Sequence, residues 1–385
     1  MVPTPAAVGR QMSERMGRHP GAVHAPRGAF VALAGSDGAG RTGGPEECDV
    51  STVSNLQRSK SDGISEGLFD LPASFALFHG GALGSARLAW RLTGNAGLPV
   101  VVAIGGISAH RRVFDLDEPR GGWWHEVVGP GHSLDTRRCR ILGIDYLCGS
   151  GDSTRPTPGE NPPTLSSYDQ AEALALLLNH LGLSRIATIV GASYGGMVAL
   201  AFGERHPERV SRLIVISAAD RTHPLSTAWR SVQRRTVRFG LAHGAGSEGM
   251  ELARALAMAT YRSGEEFAAR FSDPPSRTDG RFVFPVEDYL FSRGRSYAQR
   301  YQPESFLCLS ESIDLHRVDA ARITVPTTAV AVREDQLVPI EDMRALAARL
   351  PSARLHEISS PHGHDAFLKE AGQLRAIFAC AYGEC

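Results

Sequence analysis

One segment near the middle of the 385-residue chain limits its fold more than any other. Residues 186–190 form a continuous apolar run, residues 191–195 read GASYG, and an apolar helical pattern follows directly. A serine between glycines at such a strand-to-helix turn has its hydroxyl lifted clear of the sheet. The segment therefore predicts a nucleophile elbow that presents Ser193, with an ordinary glycine-rich turn as the alternative interpretation.

Apolar runs of the same kind recur along the chain. Continuous stretches of valine, isoleucine and leucine are typical of strands buried on both faces of a parallel sheet. They occur at residues 100–104, 140–144, 186–190 and 213–216, and the strand signal returns at residues 327–332 and 354–358. An opening strand pair is expected at residues 75–79 and 86–92. Helical patterns lie between them at residues 169–181, 194–206 and 341–350. Together with the elbow, this alternation predicts the α/β-hydrolase fold, a mostly parallel, doubly wound sheet.

The character of the sequence divides the chain into three parts. Residues 1–67 are rich in small residues, proline and arginine without sustained periodicity, so we expect a disordered N-terminal extension. A segment upstream of the true start and a transit peptide are the alternative interpretations. Residues 68–219 and 320–385 carry the strand pattern and are expected to form the α/β-hydrolase core. Residues 220–319 lack strand-like runs and are mostly helical in pattern, which predicts a helical lid inserted after the sixth strand.

Composition narrows the class of protein further. The formal net charge is zero at pH 7, and no basic block suggests nucleic-acid binding. No apolar run approaches the length of about 20 residues that spans a bilayer, and no secretory signal is recognised. The six cysteines are scattered without metal-ligand spacing, so free thiols are expected. These features favour a soluble cytoplasmic enzyme with no metal, membrane or nucleic-acid partner.

A nucleophile elbow requires an acid and then a histidine further along the chain. Asp335 follows a late strand and precedes Leu-Val-Pro and a helix, which favours it over Glu334 and Asp314. His364 lies just beyond the last strand, after a glycine and before an apolar helix, which favours it over His362. In this arrangement His364 accepts the proton of the serine, while Asp335 fixes its tautomer and stabilises the imidazolium.

An oxyanion formed at the serine also needs two backbone N–H donors. One comes from the residue after the nucleophile, which is Tyr194. The other is expected from the loop after the third strand, where Ile107 is preferred and Gly106 is the alternative.

Further motifs extend beyond the triad and carry a family resemblance. They lie at residues 121–124 (GGWW), 129–131 (GPG), 134–136 (LDT), 226–235, 260–263 (TYRS), 265–267 (EEF) and 363–368 (GHDAFL). With these motifs, roughly residues 75–375 resemble the homoserine O-acyltransferase family of methionine biosynthesis, most nearly its succinyl-CoA-using branch. The resemblance implies that Arg262 grips the carboxylate of homoserine and Asp365 its amine. It also implies a homodimer formed through the lid.

Two sets of arginines raise the question of the acyl donor. The carboxylate of a succinyl group would suit a cation, and Arg333 beside the catalytic acid is the candidate, with a solvated arginine as the alternative. Arg230, Arg234 and Arg238 recur every fourth residue and would line one helical face, either as a docking edge for CoA or as an exposed basic face. The sequence departs from the family pattern at Ala192, Tyr194 and residues 105–108 and 145–150. These positions are expected near the acyl pocket, where they bear on the donor.

The expected reaction is ping-pong transfer of a succinyl group from succinyl-CoA to the hydroxyl of L-homoserine through a Ser193 acyl-enzyme. Succinyl-CoA is a co-substrate, and no metal or redox cofactor is implied. The alternatives are an acetyl-CoA donor, serine as acceptor, or an esterase or thioesterase in which water completes the second half. A non-catalytic binding protein is disfavoured because no triad member is missing.

Overall fold

A computed structural model describes residues 63–115, 121–149 and 151–383 of the chain. Within these residues, eight strands form the central sheet. In chain order they are β1 Ile64–Asp70, β2 Arg87–Thr93, β3 Val100–Ile104, β4 Arg140–Ile144, β5 Thr188–Ala192, β6 Leu213–Ile216, β7 Thr327–Val332 and β8 Ala353–Ile358.

The sheet has the strand order β1-β2-β4-β3-β5-β6-β7-β8. Strand β2 pairs antiparallel with both β1 and β4, and the pairs from β4 to β8 are parallel. The predicted mostly parallel, doubly wound sheet is therefore confirmed. Strand β5, which leads into the elbow, lies between β3 and β6, so the nucleophile stands at the carboxyl edge of the most central strands, where ligands bind in open α/β sheets.

Helices cover both faces of the sheet and the carboxyl edge. They are α1 Ser167–His180, α2 Tyr194–Arg205, α3 Pro224–Ala242, α4 Gly246–Tyr261, α5 Gly264–Arg270, α6 Pro285–Ala298, α7 Pro303–Leu315, α8 Ile340–Arg349, α9 Ala366–Lys369 and α10 Ala371–Ala381. Because side chains alternate along a strand, β3 contributes Val102 and Ile104 to one apolar core and Val101 and Ala103 to the other. This two-sided burial explains why β3 is a continuous apolar run.

Helices α3 to α7 lie between β6 and β7, within the range expected for the lid. Helix α4 packs on α3 and α6, and the lid has a small core of its own that includes Val237, Met250 and Phe306. The lid also holds a short hairpin, Ser276–Thr278 paired with Arg281–Val283, that the sequence pattern did not predict. Its strands are almost entirely exposed, so they lack the apolar alternation that marks a buried strand.

The predicted start of the core is wrong by a few residues. Strand β1 begins at Ile64, inside the range 1–67 assigned to the disordered extension, and pairs with β2 over its whole length. It is an edge strand with polar residues such as Ser65 and Glu66. Because of this polar composition, the sequence pattern did not predict a strand there. The predicted opening pair is also different, because residues Ser74–Ala76 pair with Ala82–Gly84 in a short hairpin instead of with β2. The remaining residues of the predicted extension, 1–62, lie outside the described residues.

Two compositional expectations concern membranes and thiols. Among the described residues, no helix is both long and apolar enough to cross a membrane. Cys139, Cys148 and Cys308 are free thiols, as expected. Cys380 is disulfide-bonded, so the expectation of free cysteines throughout is wrong at this position.

Candidate active site

The turn between β5 and α2 holds its serine in a strained backbone conformation. Ser193 has φ 55° and ψ −123°, a region that residues other than glycine rarely occupy. A Cβ at position 191 would lie 2.2 Å from the carbonyl oxygen of Gly195, and one at position 195 would lie 2.3 Å from that of Ile104. Both flanking glycines are therefore needed for the chain to turn this sharply against β3.

The three side chains singled out as a triad meet at this turn. The Nε2 atom of His364 lies 2.8 Å from the Oγ atom of Ser193, and its Nδ1 atom lies 2.7 Å from Oδ2 of Asp335. The other oxygen of Asp335 accepts the backbone N–H groups of Leu337 and Val338 at 2.8 and 3.0 Å. The carboxylate is thus fixed by its own loop, and it holds the imidazole with Nε2 facing the serine.

The residues considered as alternatives to Asp335 and His364 bond to other groups. Glu334 accepts hydrogen bonds from the side chain of Ser359 and the backbone N–H of Ser360. Asp314 forms ion pairs with arginines of α3. His362 lies 3.0 Å from a guanidinium nitrogen of Arg262. None of the three contacts Ser193 or His364.

Two opposing effects set the pKa of His364. Burial of the imidazole opposes its charged form, but the charge of Asp335 and the hydrogen bond to it outweigh burial. The pKa of His364 is therefore raised above its ordinary value of 6.5. Since only the neutral imidazole can accept the serine proton, activity that depends on it should be lost as the pH falls through this raised pKa.

The expected oxyanion donors lie on either side of Ser193. Within the described residues, the backbone N–H groups of Ile107 and Tyr194 donate to no acceptor, which leaves both available for a ligand. The loop before Ile107 is tied down, because the carbonyl of Gly105 accepts from the backbone of Gly195 and from the hydroxyl of Tyr146 at 2.9 and 2.7 Å. Gly106 also lines the site, so both it and Ile107 stay candidates for the second donor.

A cavity of about 210 Å³ opens between the triad and the lid. Its walls are largely apolar and aromatic, with Trp123, Met197, Trp229, Phe306 and Phe367 among the lining residues. Ser193 and His364 also line it. The cavity can therefore hold a small organic group next to the nucleophile in largely apolar surroundings.

One polar corner of this cavity differs from the predicted acceptor site. Arg254 of α4 lines the cavity together with Tyr261 and Asp365. The guanidinium of Arg254 donates to the hydroxyl of Tyr261 at 3.2 Å and lies over the ring of Tyr297 at 4.6 Å. Burial alone would lower the pKa of Arg254, but these tyrosines and Asp365 raise it overall. A cation and a carboxylate thus face one end of the cavity.

The other predicted residue, Arg262, is not among the residues that line the cavity. It is the C-cap of α4 with extended backbone (φ −104°, ψ 155°), so the chain has left the helix there. Its guanidinium donates to Asp365 at 3.2 Å and to Glu266 at 3.0 Å. The structure therefore places Arg262 behind Asp365, where it orients that carboxylate. Arg254 and Tyr261 were missed, although their spacing of seven puts them two turns apart on one helix face.

Arg333 does not reach the cavity either. It follows the end of β7, its side chain is 61% exposed, and it pairs with Glu357 of β8 at 3.7 Å. The interpretation of Arg333 as the succinyl-binding cation is therefore wrong, because its side chain is exposed to solvent and paired with Glu357 and does not line the cavity. The side chain of Tyr194 is not part of this lining either, since its hydroxyl is buried against Ser312 at 2.6 Å.

The predicted arginine stripe of α3 is split between the interior and the surface. Arg230 and Arg234 are each only 11% exposed and both pair with Asp314 of α7. Arg238 is exposed. The stripe is therefore neither a uniform basic face nor a docking edge, and Arg230 lines the cavity.

The elbow, the triad and the lidded cavity define an α/β-hydrolase with a serine nucleophile. Residues 99–371 match the model of the alpha/beta hydrolase fold family. A homoserine O-succinyltransferase from Xanthomonas campestris pv. campestris is 43% identical over 297 residues, which cover 77% of this chain and 78% of that protein. A homoserine O-acetyltransferase from Thermus thermophilus is 36% identical over 280 residues, 67% of this chain and 71% of that protein.

Solved structures agree on the fold. The crystal structure of a homoserine O-acetyltransferase from Bacillus anthracis superimposes with a TM-score of 0.74 at 15% identity, covering 83% of this chain and 97% of that one. The chain belongs to the homoserine O-acyltransferase family of the alpha/beta hydrolase fold.

Proposed function

We propose that this enzyme transfers a succinyl group from succinyl-CoA to the side-chain hydroxyl of L-homoserine. The observation that carries the proposal is the joint presence of an aligned Ser193–His364–Asp335 array and a paired cation and anion in one cavity. The 43% identity to a homoserine O-succinyltransferase supports the choice of donor and acceptor. An acetyl donor is the second candidate, because a homoserine O-acetyltransferase is 36% identical.

In the first half-reaction, Ser193 is the nucleophile. His364 accepts the hydroxyl proton as Oγ attacks the thioester carbonyl carbon of the acyl-CoA. The oxyanion that forms binds the backbone N–H of Tyr194 and that of Ile107. The carbon–sulfur bond then breaks, the proton on His364 passes to the leaving thiolate, and the acyl group stays on Ser193 as an ester.

In the second half-reaction, the acceptor takes the place of CoA. Its hydroxyl loses a proton to His364 as the oxygen attacks the ester carbonyl of the acyl-enzyme. The ester bond to Ser193 breaks, and Oγ recovers its proton from His364. Serine, histidine and backbone N–H groups supply the nucleophile, the base and the oxyanion donors, so the proposed reaction uses no metal or redox cofactor.

The acceptor is held by its α-amino and α-carboxyl groups. Arg254 suits the carboxylate, because a guanidinium binds a carboxylate through two parallel hydrogen bonds. Asp365, held by Arg262, suits the ammonium group. The rings of Tyr261 and His364 lie 5.9 Å apart between centroids, so this corner adjoins the catalytic base. An amino-acid acceptor bound there would direct its side chain towards Ser193.

The proposal is tested by supplying succinyl-CoA or acetyl-CoA with homoserine or serine, and by measuring free CoA and product mass. The expected result is O-succinylhomoserine as the most rapidly formed product, with only a single stoichiometric release of CoA when no acceptor is present. Continued turnover to free CoA without an acceptor would identify a thioesterase. Faster turnover with acetyl-CoA would identify acetyl-CoA as the acyl donor and would leave the acyltransferase mechanism unchanged.

Arg254→Met is expected to impair the second half-reaction and spare the first. Loss of a buried charged partner should weaken acceptor binding by roughly 2–5 kcal/mol, which would appear as a higher KM for homoserine. Formation of the acyl-enzyme, followed by intact-protein mass spectrometry without acceptor, should stay near the wild-type rate.

Two arginines of the lid serve as comparisons for Arg254. Arg295→Met removes an arginine that is 58% exposed and should change neither half-reaction. Arg262→Met should have a smaller effect than Arg254→Met, because it acts only through Asp365. A larger effect at Arg262 would return the carboxylate-binding role to that residue.

We also propose that the enzyme acts in the cytoplasm, where acyl-CoA donors are found, as a homodimer formed through the lid. Large apolar side chains exposed on the lid support the dimer, including Val232, Phe239, Leu252 and Phe282, which are 51–64% exposed. Light scattering of wild type and Phe239→Glu tests this, and a wild-type monomer would contradict it.

A further inference from the structure

A second polar corner of the cavity lies beside the nucleophile on strand β6. Ser217 follows β6 directly, is 1% exposed and lines the cavity. Its hydroxyl oxygen is buried and has no hydrogen-bond partner among the described residues. Its backbone has φ 50°, so the position is strained as well as unsatisfied. A buried hydroxyl without a partner costs free energy, which a ligand that binds it would recover.

This corner is close to Ser193 by the register of the sheet. Ile216 is paired with Ala192, and the carbonyl of Ile216 accepts the backbone N–H of Ser193 at 2.9 Å. Ser217 and Ser193 therefore leave adjacent strands at the same level. A group bound at Ser217 can be one short chain away from an acyl carbon on Ser193.

Arg230 brings a second unsatisfied donor to the cavity. Its Nε atom donates to Oδ1 of Asp314 at 2.8 Å. Its Nη2 atom lies 2.7 Å from the same oxygen as an ion pair, yet it directs no hydrogen bond at any described acceptor. At most one N–H bond of Nη2 can face Asp314, so the other stays available to a ligand.

The charge around Arg230 is positive. Asp314 is shared between Arg230 and Arg234, so one carboxylate faces two guanidinium groups and one positive charge is left over. Asp342 and Arg221 also line the cavity and bring one charge of each sign, so the balance stays positive. The charge of Arg230 also opposes protonation of His364, so the two groups lie within electrostatic reach.

We infer that Arg230 and Ser217 form a subsite for the distal carboxylate of the succinyl group, and that this subsite selects the donor. The inference rests on the proposed function, and it names the residues that make the enzyme select succinyl-CoA as its acyl donor. A succinyl chain has three carbon–carbon bonds between its thioester carbonyl carbon and its carboxylate carbon. The carboxylate accepts one hydrogen bond from an N–H of Arg230 Nη2 and one from the O–H of Ser217, which satisfies both buried donors.

The two corners of the cavity suit different ligands. An α-amino acid carries both charges, and the corner at Arg254 pairs a cation with Asp365. The corner at Arg230 offers donors and a net positive charge, while its carboxylate, Asp314, is already bonded to two arginines. It therefore fits a group that is only anionic, which is the end of the succinyl chain.

The test compares succinyl-CoA with butyryl-CoA, which has the same chain of four carbons without the carboxylate. Rates of acyl-enzyme formation are measured by intact-protein mass spectrometry and CoA release, with no acceptor present. Wild type should prefer succinyl-CoA. Arg230→Met should lower its kcat/KM for succinyl-CoA by roughly 10- to 100-fold, the range expected for a lost charge-assisted hydrogen bond. The reaction with butyryl-CoA should stay the same or become faster.

Further variants keep the test falsifiable. Arg230→Met leaves Asp314 paired with Arg234, so no buried carboxylate is left alone, and the butyryl-CoA rate of the variant reports its folding. Ser217→Gly removes the hydroxyl at a position where φ 50° suits glycine, and it should also lower the succinyl rate selectively. Arg333→Met, at the exposed arginine paired with Glu357, should behave as wild type.

Each outcome bears on a separate statement. A selective loss of succinyl transfer in both variants supports the subsite. If wild type prefers succinyl-CoA and Arg230→Met does so equally, the inference is overturned while the proposed function stands. If Arg230→Met instead raises only the KM for homoserine, the corner binds the acceptor and the inference is also overturned. If no acyl-CoA acylates wild type, the proposed function itself fails.

Discussion

Replacing Ser193 with alanine is expected to abolish the acyl-enzyme and to lower kcat by about 10⁴-fold or more. The nucleophile is the group on which the rest of the site is organised. His364 lies 2.8 Å from its hydroxyl, and the backbone strain at this turn presents that hydroxyl to the cavity. Alanine keeps the small side chain and removes only the oxygen that attacks, so the fold should be unaffected.

The measurement is intact-protein mass spectrometry after mixing with succinyl-CoA and no acceptor. Wild type should gain one succinyl group, and the variant should gain none while keeping its thermal midpoint. Ser211→Ala is the matched control, because Ser211 is an exposed serine just before β6. An adduct that persists on the Ser193 variant would place the nucleophile on another residue.

The sequence was sufficient for the arrangement that depends on chain order. The elbow is a local pattern of strand, glycines and helix, and the acid and histidine follow it at the ends of later strands. Parallel strands bring those ends to one edge of the sheet, so Asp335 and His364 could be placed near Ser193 without knowledge of any distance. The structure brings the three together at hydrogen-bonding distance.

The lid residues could not be placed in the same way. Which arginine enters the cavity depends on the side of α4 that faces the sheet and on where that helix ends. Arg262 lies one residue past the end of α4 and turns back to Asp365, whereas Arg254 lies on the face that lines the cavity. Arg333 was wrongly expected in the site because it lies close to the catalytic Asp335 in sequence. Closeness in sequence does not determine the direction in which a side chain points at the end of a strand.

The arginines of α3 show a similar limit of prediction from sequence. Their spacing of four predicts a shared helix face, and Arg230 and Arg234 do share one. The sequence alone does not say that this face meets Asp314 of α7, because that contact joins positions about eighty residues apart. The burial of these two arginines is therefore a tertiary fact that periodicity could not supply.

Asp335→Asn is expected to lower kcat by about 10⁴-fold with the nucleophile still in place. In the wild type, Asp335 accepts the proton on Nδ1 of His364, which leaves Nε2 free to accept the proton of Ser193. An asparagine amide can donate to Nδ1 instead, which moves the ring proton to Nε2. The imidazole then cannot act as a base towards the serine. The loss comes from the tautomer, so the distances between the three side chains should hardly change.

The same substitution should also move the pH dependence of the residual activity. In the wild type, Asp335 is what raises the pKa of His364 against the opposing effect of burial, so the acid limb of kcat/KM should lie above 6.5. Activity rises with pH through this limb, because the neutral imidazole is the active form. Without the carboxylate, burial dominates and the pKa should fall, so the limb should move to lower pH. Glu334→Gln is the matched control, since Glu334 bonds to Ser359 and Ser360 and not to His364.

The expectation is checked by pH profiles of succinyl transfer for wild type, Asp335→Asn and Glu334→Gln. If the acid limb of Asp335→Asn stays at the wild-type pH, a group other than Asp335 sets it.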